Sequence, residues 1–221
     1  MIVTSLDEAI EAELGGADRL ELTRSLEMSG LTPPLSLVQS VVERVSIPVR
    51  VMLRENASMS IRSQTEINTL QTSTRALAQL PIDGLVLGFI NRDVLDLAAT
   101  KQVLAAAPNC RATFHRAFDN LRQPLRALQE LKQLPQIDRV LTSGGEGSWA
   151  ERKARLLAWR SAAVPQIKII LAAGLCASSL AENSKDLSDI EVHVGRAVRI
   201  PQVTSGTVNR SQVAALKRLL G

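Results

Sequence analysis

Aromatic side chains are almost missing from this chain: it has no tyrosine, two tryptophans and three phenylalanines in 221 residues. Proteins that bind single-stranded nucleic acid stack bases on aromatic rings and follow the backbone with clustered cations. Here the rings are too few, and the basic residues behind the net charge of +4 are scattered without a Lys/Arg block. No nucleic-acid partner is expected. Cysteine is equally scarce, because Cys110 and Cys176 lie far apart and form no C-x-x-C spacing. That excludes a disulfide framework and a zinc knuckle, and leaves two small buried thiols as the simplest reading. No apolar run approaches the roughly 18 residues of a membrane span. The opening MIVTSLDEAIEAEL is acidic where a secretory signal would be basic and then apolar. The expectation is a cytoplasmic protein without a membrane partner. No Gly/Ser-rich linker or low-complexity tract interrupts residues 1–221, so a single domain is expected.

What is present is a rhythm. Short β-branched or Leu-rich runs occur at 1–4, 18–23, 48–53, 83–89, 112–118, 138–143, 167–172 and 191–195, each followed by a segment able to form a helix. Repeated βα units of this kind make a parallel sheet, and eight of them predict an α/β fold of the TIM-like (β/α)8 barrel type. An open doubly wound sheet is the alternative, and pairing of the first strand with the last decides between them. Ser5 with Glu8, Ser148 with Glu151 and Ser179 with Glu182 fit the S-x-x-E pattern that caps helix starts. Pro33 suits a first helical turn after Thr32, while Pro48 and Pro165 end helices and precede strands.

Strand side chains alternate between faces, so period two sorts them. Leu20, Leu22, Val49, Val51, Leu53, Phe114, Val192 and Val194 suit the helix layer. Arg19, Glu21 and Thr23 then point into the barrel, as do Arg50, Met52, Arg54, Thr113, His115, Ala117, Glu191, His193 and Gly195. Both histidines of the chain fall in this inward set. Glu21, Arg54, His115 and His193 come near strand C-terminal ends, where barrel enzymes place their chemistry. The plain structural alternative is lumen ion pairing, for which Arg19, Arg50 and Glu191 are the best examples, and helix capping for Asp119.

In this set His115 and His193 are acid/base candidates, with Glu21 or Asp119 as the orienting carboxylate. Arg54 and Arg116 could contact an anion, although period two turns Arg116 away from the pocket. The TSGGEGS loop offers Ser143, Gly144 and Gly145, and the later loops offer Gly174, Gly195, Arg196 and Arg199. His115, His193 and Glu21 could instead hold a metal ion. Copper(I) prefers sulfur ligands, and neither cysteine falls at an inward strand end.

The segments GGADRLEL, SGLTPPLSLV, FHRAFD, RVLTSGG, the AAG turn and the EVHVG strand resemble the CutC family of copper homeostasis proteins over nearly the whole chain. By position the resemblance covers Glu21, Thr32, Pro33, His115, Arg116, Asp119, Ser143, Gly144, Gly145, Gly174 and His193. It implies a cytosolic TIM-like barrel, a homo-oligomer (dimer or tetramer), and a role in copper homeostasis with copper as bound metal. Where members carry cysteine this chain has Ile2, Val3 and Thr23, and the family's Arg-Pro-Arg-Gly-Gly reads RENAS from Arg54. The expected ligand is therefore a metal ion, or a small anion, phosphorylated compounds included, handled by a TIM-barrel enzyme. A structural or interaction module is the third reading.

Overall fold

A computed structural model describes residues 1–172, 175 and 190–220. Eight parallel strands follow one another around a barrel: β1 (Ile2–Val3), β2 (Leu20–Leu22), β3 (Val49–Met52), β4 (Gly84–Leu87), β5 (Ala112–Phe114), β6 (Ile137–Thr142), β7 (Lys168–Ala172) and β8 (Glu191–His193). Each falls within or overlaps a run expected from the sequence. The barrel is nearly closed: the Ile2 amide donates to the Val194 carbonyl at 3.0 Å, joining the first strand to the end of the last. Gly195 permits this approach, since a Cβ there would lie 2.8 Å from Ile2 Cγ2.

The helices are α1 (Leu6–Leu14), α2 (Leu35–Arg44), α3 (Gln64–Leu77), α4 (Leu97–Leu104), α5 (Pro124–Leu131), α6 (Trp149–Ala163) and, near the end of the chain, α7 (Arg210–Leu220). At α6 Ser148 and Glu151 form the full reciprocal cap. At α1 only half of it forms: Ser5 accepts from the Glu8 amide, while the Glu8 carboxylate turns to Thr4 and Arg199. Ser179 and Glu182 lie outside the described residues. Pro33 is not in the first turn of α2, whose N-cap is Pro34. A residue that precedes proline is pushed out of the helical region, so Pro33 stays extended ahead of the helix.

Alternation creates two apolar layers. Leu20, Leu22, Val49, Val51, Leu53 and Phe114 join the large core between strands and helices. Met52, Val86, Leu141, Ile170 and Ala172 form a separate cluster inside the barrel. The chain departs from alternation after Phe114, where β5 ends and a 3-10 turn runs over Arg116–Asn120. Ala117 and Arg116 therefore do not follow the strand pattern expected of 112–118.

Candidate functional site

Polar residues fill the barrel at two levels. At the N-terminal ends of the strands, Arg50 is 2% exposed and grips Asp138 with both terminal nitrogens at 2.6 and 2.7 Å. Its Nε donates to Asp83 at 2.7 Å and its Nη1 to Thr113 at 2.7 Å. Arg139 bridges Asp138 and Glu191, and Glu191 also takes Arg19 at 3.0 Å and Lys168 at 3.2 Å. The lumen ion pairs expected of Arg19, Arg50 and Glu191 are thus present as one network. The neighbouring cations hold the Asp83 and Glu191 carboxyls below their usual range, outweighing the burial that opposes this.

The opposite end is a cavity of about 410 Å³ at the C-terminal ends of the strands. Glu21, Arg54, His115, Arg116, Asp119 and His193 all line it, so the residues chosen from the sequence converge. Each is held differently. His115 follows β5 directly; its amide is fixed to the Leu87 carbonyl at 2.7 Å, and its Nδ1 accepts from the Ala117 amide at 3.1 Å. An accepting Nδ1 places the ring proton on Nε2, which is the atom left for a ligand. Burial, with Arg54 and Arg116 nearby, lowers its pKa to about 3, so the imidazole is neutral at pH 7. Gly88 makes room for the ring: a Cβ there would sit 2.5 Å from His115 Nδ1.

Arg54 is 5% exposed, and no carboxylate pairs with it among the described residues. Its guanidinium donates to carbonyls only: Met28, Ser29 and Gly30 at 3.3 to 3.5 Å, Ser58 at 3.5 Å, and Ala57. Thr32 fixes its backbone, accepting from the Arg54 amide at 2.8 Å and donating to its carbonyl at 3.0 Å. Glu21 and His193 meet deeper in the barrel, with His193 Nδ1 3.8 Å from Glu21 Oε2. That is too long for a hydrogen bond. Glu21 is 7% exposed, and no donor reaches its carboxyl among the described residues. Burial raises its pKa to about 7, against the pull of the Met1 ammonium and Arg50. Burial, with that ammonium and Arg116, lowers His193 to about 3.

Asp119 is fully committed to protein partners and caps no helix. It accepts from Thr142 Oγ1 at 2.5 Å, from the Ser143 amide at 2.9 Å and from Arg116 Nε at 2.9 Å. The 3-10 turn, not strand alternation, sets Arg116, which brings it to the cavity wall that period two denied it. The amides of Gly144 and Gly145 are used within their own loop, by Thr142 Oγ1 at 3.1 Å and Ser143 Oγ at 3.2 Å. Both glycines have φ near +80° (83° and 81°), so the loop needs glycine for its backbone as well. Arg199 is 1% exposed and is locked to Glu8, Nη2 to Oε2 2.8 Å. That pairing removes it from the loop cations available to a ligand, whereas Arg196 lines the cavity. Gly174 and Cys176 lie outside the described residues. Sequence reasoning missed Gly88, Met59 and Asn120; the glycine directly after a strand was the one readable signal, since it marks a close approach.

Two comparisons decide the family. The CutC family profile matches residues 1–198. A CutC family protein of Pasteurella multocida is 34% identical over 203 residues, covering 91% of this chain and 83% of the relative. The chain belongs to the CutC family. The human copper homeostasis protein cutC homolog is 38% identical over 150 residues, 67% of this chain and 55% of that protein. CutC from Streptococcus agalactiae superposes with a TM-score of 0.78 at 21% identity, covering 87% of this chain and 95% of that one, which establishes the barrel fold.

The family's name raises copper, and the donors around this cavity do not fit it. No cluster of three or more His, Cys, Asp or Glu residues among the described residues could hold a metal ion. Cys110 precedes β5, at the other end of the barrel. Thr23 is fully buried, and its hydroxyl donates to the Leu31 carbonyl at 3.0 Å. Val3 faces the helix layer. The two thioethers present, Met52 and Met59, share the cavity wall with three guanidinium groups. Such a field disfavours a cation.

Proposed function

We propose that this CutC protein acts in copper homeostasis, as the names of its relatives indicate, by binding and turning over a small anionic molecule at the barrel mouth. It is proposed to work in the cytoplasm as a homo-oligomer, as the family resemblance implies. One observation carries the anion reading: Arg54 is a buried cation with no carboxylate partner among the described residues, facing a cavity that Arg116 and Arg196 also line. A guanidinium taken from water is costly unless an anion compensates it, and its planar fork matches carboxylate and phosphate oxygens. His115 and His193 add donors without adding charge.

Calorimetric titration with inorganic phosphate tests this reading. Wild type should bind one phosphate per chain, and Arg54→Gln should weaken binding at least about tenfold, the effect expected of a charge-assisted pair. Arg196→Gln serves as the second variant if Arg54→Gln fails to fold. Equal binding by wild type and a folded variant, or no binding at all, overturns the anion reading. Anaerobic copper(I) competition on the same samples tests the direct metal reading, which predicts stoichiometric binding.

A further inference from the structure

Three groups of different kinds line the mouth: the Glu21 carboxyl and the His115 Nε2–H, which have no hydrogen-bond partner among the described residues, and the Arg54 guanidinium, which is held by main-chain carbonyls and meets no carboxylate among them. Their chemistries differ, and together they describe a reaction. A cation holds an anionic tail, a neutral N–H meets an oxygen on which charge develops, and a buried carboxylate waits for a proton. A carboxylate base opposite a neutral imidazole is a known arrangement for removing a proton next to a carbonyl. The imidazole must be neutral for this, because an imidazolium would surrender its proton instead of polarising the oxygen. The hydrogen bond from the Ala117 amide to His115 Nδ1 fixes the tautomer that such a role needs.

We infer that the mouth enolises a small carbonyl compound bearing a carboxylate or phosphate, with Glu21 as the base and His115 Nε2–H as the donor to the carbonyl oxygen. The inference rests on the mouth accepting an anion. In the step, the C–H bond beside the carbonyl breaks and its proton passes to a Glu21 oxygen. The electron pair of that bond forms the C=C bond, and the carbonyl π pair moves to oxygen, where the His115 hydrogen bond stabilises it. Return of a proton from Glu21 to carbon restores the carbonyl, so no oxidant or further reactant is consumed. A base works best when its pKa is near the working pH, and burial brings the Glu21 carboxyl to about 7.

The test is deuterium incorporation from D2O into three probes, pyruvate, glycolaldehyde phosphate and dihydroxyacetone phosphate, followed by proton NMR with purified protein. Wild type should exchange the proton next to the carbonyl in at least one probe. Pyruvate alone would assign a carboxylate tail, and the phosphates alone a phosphoryl tail. Glu21→Gln should cut the rate by about 10²-fold or more, the usual contribution of a positioned base, and His115→Asn should slow it to a lesser extent. If no probe exchanges above the protein-free rate, or if folded Glu21→Gln matches wild type, the enolisation inference is overturned. Phosphate binding measured separately on wild type keeps that failure distinct from failure of the anion reading.

Discussion

The two ends of the barrel use the same residue types in opposite ways. At the N-terminal end, Arg50 spends three nitrogens on Asp83, Asp138 and Thr113, and Glu191 is shared among three cations. At the mouth, among the described residues, Arg54 has no carboxylate, Glu21 has no donor, and His115 leaves Nε2 unclaimed. The first pattern is that of a filled lumen, in which every charge is compensated. The second leaves a buried cation without an anion and a carboxyl without a donor among the described residues, an arrangement typical of places where a ligand completes the set. Inward direction alone did not separate the two; partnership did.

Acid should separate the ends most strongly. His115 and His193, each lowered from an ordinary 6.5 to about 3, contribute stability that is complete above 6.5 and lost as pH falls towards 3. Each is worth up to about 5 kcal/mol on that scale. Asp83 and Glu191 have carboxyls below their ordinary values, so their contribution holds until pH falls below the usual carboxylate range. The mouth should therefore fail first, and His193→Gln should move the acid unfolding midpoint to lower pH in a circular-dichroism titration. Coincident loss of both ends at the carboxylate range would break the comparison.

Next in size is the lower network itself. Arg50→Ala leaves Asp83 and Asp138 without their main partner and should cost about 3–5 kcal/mol in denaturant unfolding, while phosphate binding at the mouth persists. Glu21→Gln should instead raise stability. The Glu21 carboxyl is raised from 4.5 to about 7, so its contribution is complete below its ordinary value and is lost as pH rises through 7. The variant should match wild type near pH 4.5 and exceed it by up to about 3 kcal/mol at pH 8.5, measured by unfolding at both pH values. The smallest effect belongs to Arg116→Gln. Its side chain is 50% exposed and paired with Asp119, so thermal unfolding should show a loss of less than about 1 kcal/mol.

Much of this contrast was legible in the sequence because strands alternate strictly. Period two placed Glu21, Arg50, Arg54 and His193 inside, and it sent Leu20, Leu22 and Phe114 to the helix layer. It failed at Arg116, one residue past the point where β5 gives way to a 3-10 turn, since alternation says nothing about a turn. Partnership was legible only as a general expectation of lumen ion pairs for Arg19, Arg50 and Glu191; which groups would pair was not. The Glu8–Arg199 pair spans 191 residues, and the carbonyl cage around Arg54 comes from two loops whose paths no local pattern specifies. Asp119 read as a cap because it precedes a helix, whereas its partners lie on β6 and the loop after it. Copper followed from resemblance alone, whereas the anion reading proposed above rests on the placement of Arg54, Arg116 and Arg196 at the mouth.

The most direct test of the contrast is the ring-nitrogen NMR spectrum of 15N-histidine-labelled protein, recorded across pH and then across a phosphate titration. Both imidazoles should remain neutral from pH 8 to about pH 4, with His115 as the Nε2–H tautomer, and the His115 Nε2 resonance should move as phosphate binds. An imidazolium at neutral pH, or a His115 resonance indifferent to phosphate, would contradict the account.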